Sequence, residues 1–328
     1  MRQLTRDLAL GLSLVFATWC AQAQTPVAST WPTKAIKIIV TYPTAGVSDN
    51  ATRVIAERLT KSLGQSVLVE NRAGAGGTLG ADVVAKAAPD GYTIGFAGIS
   101  AFSIGPHVMK VNYDSLKDFS AVAAAMYSPV YLLATSKFAG NSFEDVIALS
   151  KAKPGSITVA TSGYGTVGHI MIEQLRKKTG ADITHVPYKG GGQIATDALG
   201  GQFDLMLANP YANLNNLIAG GKFRVLAVGA PQRIEKYPNV KTFAELGYPE
   251  ANMTSFFGFF APARTPPEII AKLNSEINRA LNDPEIAEKI RRLENLVVTG
   301  KPEYFGDMIQ KEYQSNAVIV KEANIKAE

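Results

Sequence analysis

The stretch VENRAGAGGTLGADVVAKAA, residues 69–88, passes from the end of a strand-like segment through a glycine-rich turn into a helix-like run. A strand, a turn and a helix in this order form the repeating unit of α/β proteins. Gly74, Gly76 and Gly80 give the spacing G-x-G-x-x-x-G, close to a dinucleotide fingerprint in the right context. The stretch therefore predicts an α/β fold and raises the question of whether its glycines bind NAD(P).

The N-terminus carries the features of a secretory signal peptide. A start with Arg2 and Arg6 is followed by an apolar run over residues 8–19 and by Ala21-Gln22-Ala23. This order is typical of a cleaved signal, and the run is too short for a membrane anchor. We predict a signal peptide over residues 1–23 and a soluble secreted product. Cys20 is interpreted as part of the signal, since Thr18 and Trp19 fit a lipobox poorly.

The composition excludes several function classes. Cys20 is the only cysteine of the 328 residues, so no disulfide or thiol nucleophile is expected after cleavage. The three histidines, His107, His169 and His185, lack metal-binding spacing, and we expect no metal site. A formal charge of +5 without basic blocks gives no support for nucleic-acid binding.

Two features argue against a dinucleotide site. The fingerprint usually occupies the first βα turn, with an acidic residue about 20 positions later at the end of the next strand. Here the glycines lie in a second βα turn, and the next strand ends TIGFAG without a carboxylate. We therefore expect no NAD(P) binding and no cofactor. A G-x-S-x-G hydrolase elbow is also missing, since TSGYG and GISAF have the wrong spacing.

Strand-like and helix-like segments alternate along the chain, which predicts parallel sheets with helical crossovers. The predicted strands cover residues 34–42, 66–71, 93–98, 157–161, 183–188, 203–208 and 223–229. The predicted helices cover residues 48–64, 78–88, 142–153, 166–178, 193–199, 211–219, 266–281, 284–293 and 302–323. Ser48 or Asp49 is expected to cap the first of these helices.

Two strand-to-helix turns are similar to each other. TYPTAGVSDN, residues 41–50, and TSGYGTVGH, residues 161–169, are both rich in Gly, Ser and Thr. Free N–H groups and the helix dipole at such turns favour anions, although each turn alone is better explained as ordinary turn and cap chemistry. Their occurrence in both halves of the chain indicates a ligand held between two α/β lobes.

Five ordered blocks resemble the Bug-type solute-binding proteins, the extracytoplasmic receptors of tripartite tricarboxylate transporters. The blocks are WPTKAIKIIVTYPTAGVSDNATRVIAERL, VLVENRAGAGGTLGADVVAKAAPDGYT, GYGTVGHIMIEQL, VPYKGGGQIATDALGGQFDLML and AGGKFRVLAV. The resemblance implies a two-lobed, type II-like periplasmic-binding-protein fold (a Venus flytrap) with two interlobe crossovers. Residues 24–131 and 251–328 would form one lobe, and residues 132–250 the other.

The resemblance also implies a site in the cleft and a set of partners. The ligand would be a small organic carboxylate, the partners would be the membrane subunits of the transporter, and the receptor would be a monomer without catalytic residues. The implied ligand-binding residues are Tyr42, Thr44, Ala45, Gly46, Ser48, Asp49, Ala73, Gly74, Gly76, Gly77, Ser100, Ser162, Gly163, Tyr164, Thr166, His169, Tyr188, Lys189 and Asn209.

Two departures from the family pattern bear on the ligand. Ala45-Gly46 replaces a common Gly-Gly pair, with the backbone N–H donors expected to remain. Ala208 replaces an aspartate that many members carry, which argues against a ligand ammonium group.

Aromatic residues are also expected near the cleft, namely Tyr42, Phe102, Tyr164, Tyr188 and Tyr211. We therefore expect a dicarboxylate or an aromatic carboxylate.

Two other functions are compatible with the sequence. A secreted hydrolase could use the same interlobe cleft, and a chemosensory binding protein could pass its closed form to a receptor instead of a transporter.

Overall fold

A computed structural model of the protein describes residues 31–326. The predicted signal peptide, residues 1–23, lies outside the described residues. The chain divides between Thr33 and Lys34, and the second unit, Lys34–Glu328, is compact and carries the elements described below. Within the described part, no helix is both long enough and apolar enough to cross a bilayer.

Strands and helices alternate through most of the second unit. The strands are β1 (Ile36–Val40), β2 (Val67–Asn71), β3 (Thr93–Gly98), β4 (Phe119–Ser128), β5 (Val130–Ala134), β6 (Ile157–Thr161), β7 (Ile183–Pro187), β8 (Leu205–Ala208), β9 (Arg224–Gly229), β10 (Ser255–Pro262) and β11 (Leu296–Val297). The helices are α1 (Val47–Leu63), α2 (Thr78–Ala85), α3 (Ser100–Ser103), α4 (Gly105–Val108), α5 (Phe143–Ala152), α6 (Val167–Thr179), α7 (Gly191–Leu199), α8 (Ala212–Ala219), α9 (Pro267–Leu281), α10 (Pro284–Arg291) and α11 (Pro302–Glu322).

The strands form two sheets. One has the order β11-β4-β10-β3-β1-β2, and the other has the order β7-β6-β8-β5-β9. We call the first sheet with its helices lobe 1 and the second sheet with its helices lobe 2. The chain passes from lobe 1 to lobe 2 between β4 and β5, through Pro129, and returns through residues 230–254. The predicted α/β class is confirmed, whereas the exact lobe boundaries at 131/132 and 250/251 stay predictions.

The prediction of parallel sheets is correct for only part of each sheet. β1 pairs in parallel with β2 and β3, and β6 pairs in parallel with β7 and β8. β10 is antiparallel to β3 and β4, and β5 is antiparallel to β8 and β9. A parallel neighbour requires a long crossover, usually a helix. β5 and β10 instead enter their sheets directly from the other lobe, so the crossing sets their direction.

Both long strands that flank the crossings were missed by the sequence prediction. β4 contains AVAAAM, and alanine and methionine are strong helix formers, so the segment carries no strand pattern. β10 reads SFFGFFAP and is buried at every position. Its unbroken apolar run is the pattern of a strand covered on both faces, and this signal could have identified it.

The core of lobe 1 is aromatic. Phe260 packs edge-on against Phe102 and Phe119, with ring centroids 4.8 and 5.4 Å apart. Gly95 on the neighbouring strand has no side chain because a Cβ there would overlap the Phe260 ring. Edge-to-face packing of this kind is favourable beyond the area it buries. This rigid centre positions the carboxyl ends of β1 and β3, which face the cleft between the lobes.

Candidate ligand-binding site

A cavity lies in the cleft between the lobes, and loops from both sheets line it. Lobe 1 contributes the turn between β1 and α1 and the end of β3, while lobe 2 contributes the starts of α6 and α7 and the end of β8. The starts of β5 and β10 form part of the wall, because Val130, Ser255, Phe256 and Phe257 all line the cavity. The site is therefore assembled at the crossings themselves.

Three helices point their N-termini at this cavity. α1, α6 and α7 begin after Gly46, Thr166 and Gly190, and none of these N-cap residues satisfies a helix N–H with its side chain. By contrast, Ser142 at the start of α5 forms a complete capping box. The N–H groups of an uncapped first turn attract anions, and the helix dipole adds to this attraction. The cavity is thus suited to bind negative charge without a positively charged side chain.

The turn before α1 is fixed by Asp49. Its carboxylate accepts hydrogen bonds from the Ala45 N–H at 2.9 Å, from Arg53 Nε at 3.0 Å and from Asn71 Nδ2 at 3.0 Å. Burial would raise the pKa of Asp49, but these hydrogen bonds outweigh it, so the pKa is lowered and the carboxylate stays charged. The prediction that Ser48 or Asp49 caps α1 is wrong, because Gly46 is the N-cap.

The hydrogen bonds of Asp49 also determine whether the Ala45 N–H is available to a ligand. Its φ angle is +63°, a conformation that favours glycine, which explains why glycine suits this position. Its N–H already donates to Asp49, so the sequence-based expectation that this donor remains for a ligand does not hold. Ser48 offers an alternative, because its buried hydroxyl lines the cavity and has no hydrogen-bond partner within the described residues.

The predicted ligand residues divide into two groups. Those that line the cavity are Tyr42, Gly46, Ser48, Ser100, Ser162, Thr166 and Asn209. Those that lie outside its lining are Thr44, Ala45, Asp49, Ala73, Gly74, Gly76, Gly77, Gly163, Tyr164, His169, Tyr188 and Lys189. A ligand role for any of them stays a prediction.

Several residues of the second group have other partners. Tyr188 donates from its hydroxyl to Asp197 at 2.7 Å, and burial together with this bond raises the pKa of Tyr188 to about 12. Tyr164 packs edge-on against His169 and His185 with ring centroids 5.2 and 5.1 Å apart. Lys189 is exposed. Of the five aromatic residues expected near the cleft, Tyr42 and Tyr211 line the cavity.

Sequence reasoning missed most of the apolar wall. The missed lining residues are Pro43, Val47, Gly98, Ile99, Val130, Val167, Gly168, Gly191, Ile194, Leu207, Ser255, Phe256 and Phe257. Many of them directly follow or precede a predicted turn. Because apolar residues there are also expected in a protein core, their sequence did not indicate that they line a ligand cavity. Phe257 stacks on Phe96 with the rings 6° from parallel, and so extends the core of lobe 1 into the cleft.

Asn209 connects the cavity to both crossings. Its Nδ2 donates to the carbonyl oxygens of Pro129 at 2.9 Å and Ser128 at 3.4 Å, which belong to the first crossing. Its Oδ1 accepts from the Ser255 hydroxyl at 3.3 Å, where the second crossing ends. The sequence-based expectation that Asn209 offers a hydrogen bond to the ligand is thus limited, because both donors are already used within the protein.

Replacing this amide by a carboxylate is expected to destabilise the protein. Asn209→Asp removes both donors and places a carboxylate against two carbonyl oxygens. We expect the free energy of unfolding to fall by about 1–3 kcal/mol, as for other half-buried groups left unpaired. Ser255→Ala removes only the weaker accepted bond, and a loss under about 1 kcal/mol is expected. Urea denaturation compares the two variants, and equal losses would contradict this role of Asn209.

The fold and the cleft together define a class of protein. Two α/β lobes joined by two crossings, with an anion-suited cavity between them, are the architecture of a solute-binding protein. The model of the family described as "Tripartite tricarboxylate transporter family receptor" matches residues 51–325. The chain belongs to this family, and the two-lobed periplasmic-binding-protein fold that the resemblance implied is confirmed.

Individual relatives agree with this assignment. The chain is 37% identical to "Protein BugT" of Bordetella pertussis over 326 residues, covering 98% of this chain and 99% of BugT. It superposes with a TM-score of 0.83 and 30% identity on MatC of Rhodopseudomonas palustris with bound malate, covering 88% of this chain and all of MatC. It superposes with a TM-score of 0.85 and 29% identity on R. palustris Rpa4515 with adipate, covering 90% and 99% of the two chains.

Proposed function

We propose that the protein is a periplasmic receptor that captures a small organic carboxylate, preferably a dicarboxylate or an aromatic carboxylate, for a tripartite tricarboxylate transporter. The observation that carries the proposal is the convergence of the uncapped N-termini of α1, α6 and α7 on one cavity. α1 belongs to lobe 1, whereas α6 and α7 belong to lobe 2. An acid with a carboxylate at each end can therefore bridge the lobes and favour their closure.

The uncharged lining supports an acid without an amino group. Within the described part of the chain, the residues that line the cavity include no Asp, Glu, Lys, Arg or His. A ligand ammonium group would lose its hydration there without gaining a counterion, which is costly. Carboxylates instead meet backbone N–H groups and the Ser48 hydroxyl, since the hydroxyls of Tyr42 and Thr166 already donate to the carbonyl oxygens of Gly76 and Gly163. Ala208 lies at the end of β8, where an aspartate would supply the missing counterion.

The apolar part of the wall supports a ligand with a hydrocarbon body. Phe257, Ile194 and Leu207 line the cavity together with Tyr211, and they offer contact to a methylene chain or a ring. Adipate, the ligand in the structure of Rpa4515, is an acid of this kind, and malate, in the structure of MatC, is a shorter one. Both relatives therefore support the carboxylate class.

The remaining parts of the proposal concern catalysis, location and partners. The described residues that line the cavity include hydroxyl groups but no histidine or carboxylate that could act as a base, so binding without turnover is the function that the lining supports. The predicted signal peptide supports the periplasm as the location. We also propose that the receptor is a monomer, and family membership supports docking of its closed form on the membrane subunits of a transporter.

A thermal-shift screen tests the proposal. The purified protein is heated with monocarboxylates, dicarboxylates, tricarboxylates, aromatic acids and amino acids in separate wells. A ligand at about 100 times its Kd is expected to add about 2.7 kcal/mol to the free energy of unfolding. Stabilisation by acids without consumption of the acid supports a receptor. Conversion of the added acid to a product would instead support the hydrolase alternative.

A further inference from the structure

The glycines of the stretch RAGAGG contact the opposite lobe. Gly76 lies in the turn Ala75–Gly77 of lobe 1, with a φ angle of +63°. A Cβ built on Gly76 would lie closer than 3.0 Å to the carbonyl oxygen of Tyr164 in lobe 2. From the other side, a Cβ on Gly163 would lie 3.5 Å from the Gly76 nitrogen. The two turns therefore meet backbone to backbone, at a distance that leaves no room for a side chain.

A second contact of the same kind lies at the turn after β1. A Cβ on Gly190, in lobe 2, would lie closer than 3.0 Å to two ring carbons of Pro43 in lobe 1. A Cβ on Gly192 would lie 3.2 Å from the carbonyl oxygen of Thr44. Neither Gly76, Gly190 nor Gly192 lines the cavity. The absence of a side chain at these positions thus serves the contact between the lobes.

One cavity residue connects the ligand site to the first contact. Tyr42 lines the cavity, and its hydroxyl donates to the carbonyl oxygen of Gly76 at 3.0 Å. A ligand that packs against Tyr42 therefore also fixes the turn that carries Gly76. This arrangement gives a physical route from an occupied cavity to the contact between the lobes.

We propose that Gly76 and Gly190 form the closing contacts of the receptor, and that they determine ligand affinity through lobe closure without touching the ligand. The proposal rests on the proposed function, since closure matters because the cleft binds a ligand. A receptor whose binding-competent closed form is less populated has a proportionally weaker apparent affinity. A side chain at Gly76 holds the lobes apart and so lowers affinity while leaving the cavity lining unchanged.

The chain offers a matched control for backbone strain. Gly64, at the end of α1, has a φ angle of +67°, close to that of Gly76, and a Cβ there would meet no atom of residues 31–326 within 4 Å. Gly76→Ala and Gly64→Ala therefore introduce the same left-handed alanine in lobe 1, with a similar loss of thermal stability. Only Gly76→Ala introduces a collision with lobe 2.

The experiment measures the distance between the lobes. Spin labels are attached to cysteines replacing the exposed residues Lys61 on α1 and Lys151 on α5, in a Cys20→Ser background. Distance distributions are recorded by pulsed electron resonance without ligand and with adipate. We expect Gly76→Ala to shift the distribution to longer distances than Gly64→Ala, and a tenfold loss of closed population to raise the Kd for adipate about tenfold.

Gly192→Ala provides a second variant with normal helical φ, in case Gly76→Ala folds poorly. It is expected to shift the distances in the same direction, by a smaller amount. Identical distributions for Gly76→Ala, Gly192→Ala and Gly64→Ala would overturn the proposal. Reduced affinity with unchanged distances would also overturn it, because Gly76 would then act on the ligand directly. Failure of adipate to bind the unsubstituted protein would count against the proposed ligand class, while the distances measured without ligand still test the closing contacts.

Discussion

An aspartate at position 208 is expected to weaken the binding of adipate about 100-fold. Ala208 is 7% exposed and lines the cavity at the end of β8. Two carboxylates about 4 Å apart repel each other by about 4 kcal/mol at the effective dielectric of a protein site. Part of this repulsion is relieved when the new carboxyl group takes up a proton, so the expected loss is smaller than the full value. The loss of affinity should therefore grow as the pH is raised.

Ala208→Asn is the matched control for this change. It has the size of aspartate without the charge, so any loss that it shares with Ala208→Asp reflects space and not electrostatics. Titration calorimetry with adipate and with glutamate measures both variants. Ala208→Asp should also improve binding of glutamate relative to adipate, because a carboxylate can pair with the ammonium group. Equal losses of adipate affinity in Ala208→Asp and Ala208→Asn would contradict the electrostatic account.

Mild acid is expected to destabilise the protein through two stacked histidines of lobe 2. The rings of His169 and His185 are stacked with centroids 4.6 Å apart. Burial, with the nearby charge of Arg176, lowers the pKa of His169 to about 4. Burial, with His169 and Arg176, lowers the pKa of His185 to about 3. Both rings are therefore neutral in the folded protein at pH values where an unfolded chain already protonates them.

The direction of the pH effect follows from these shifts. An unfolded histidine takes up its proton near pH 6.5, so between about pH 6.5 and 4 the unfolded state binds more protons than the folded state. The free energy of unfolding therefore falls as the pH falls through this window, by up to about 1.4 kcal/mol per pH unit for each histidine. Above about pH 7 both histidines are neutral in the folded and the unfolded state, so they no longer make the free energy of unfolding depend on pH.

Urea denaturation at a series of pH values measures this effect. His169→Gln and His185→Gln should each remove about half of the slope between pH 6.5 and 4.5, and the double variant should remove most of it. The histidines lie behind the loop that carries Tyr164, and His169 Nδ1 accepts a hydrogen bond from the Gly165 N–H at 3.3 Å. A flat stability profile in the unsubstituted protein, or an unchanged slope in the double variant, would exclude this explanation.

The sequence predicted the parallel parts of both sheets well. The predicted bounds of two strands, 93–98 and 157–161, coincide with β3 and β6. Strong alternation of β-branched strands with capped or glycine-terminated helices explains this success. The strands that follow the crossings, β5 and β10, could not be predicted in the same way. Their direction depends on which sheet each strand joins. That choice is made by tertiary packing and leaves no local pattern.

The site was predictable where backbone geometry determines it. The turns before α1 and α6 were expected to face one cleft, and both line the cavity. The role of the RAGAGG glycines was not predictable, because an open turn and a close contact between lobes require the same residue type. Gly76 faces Tyr164 of lobe 2, and this contact depends on residues 88 positions apart in the chain. Sequence spacing carries no information on a contact between residues so far apart in the chain.

Isothermal titration of the purified protein with succinate, adipate, a benzene dicarboxylate, aspartate and glutamate tests whether the cleft prefers diacids without an amino group. We expect saturable one-to-one binding of at least one unaminated diacid, tighter than the binding of either amino acid. The uncapped helix N-termini supply the attraction, and the uncharged lining supplies the discrimination against ammonium groups. Tighter binding of aspartate or glutamate than of every unaminated acid would exclude a receptor selective for unaminated diacids.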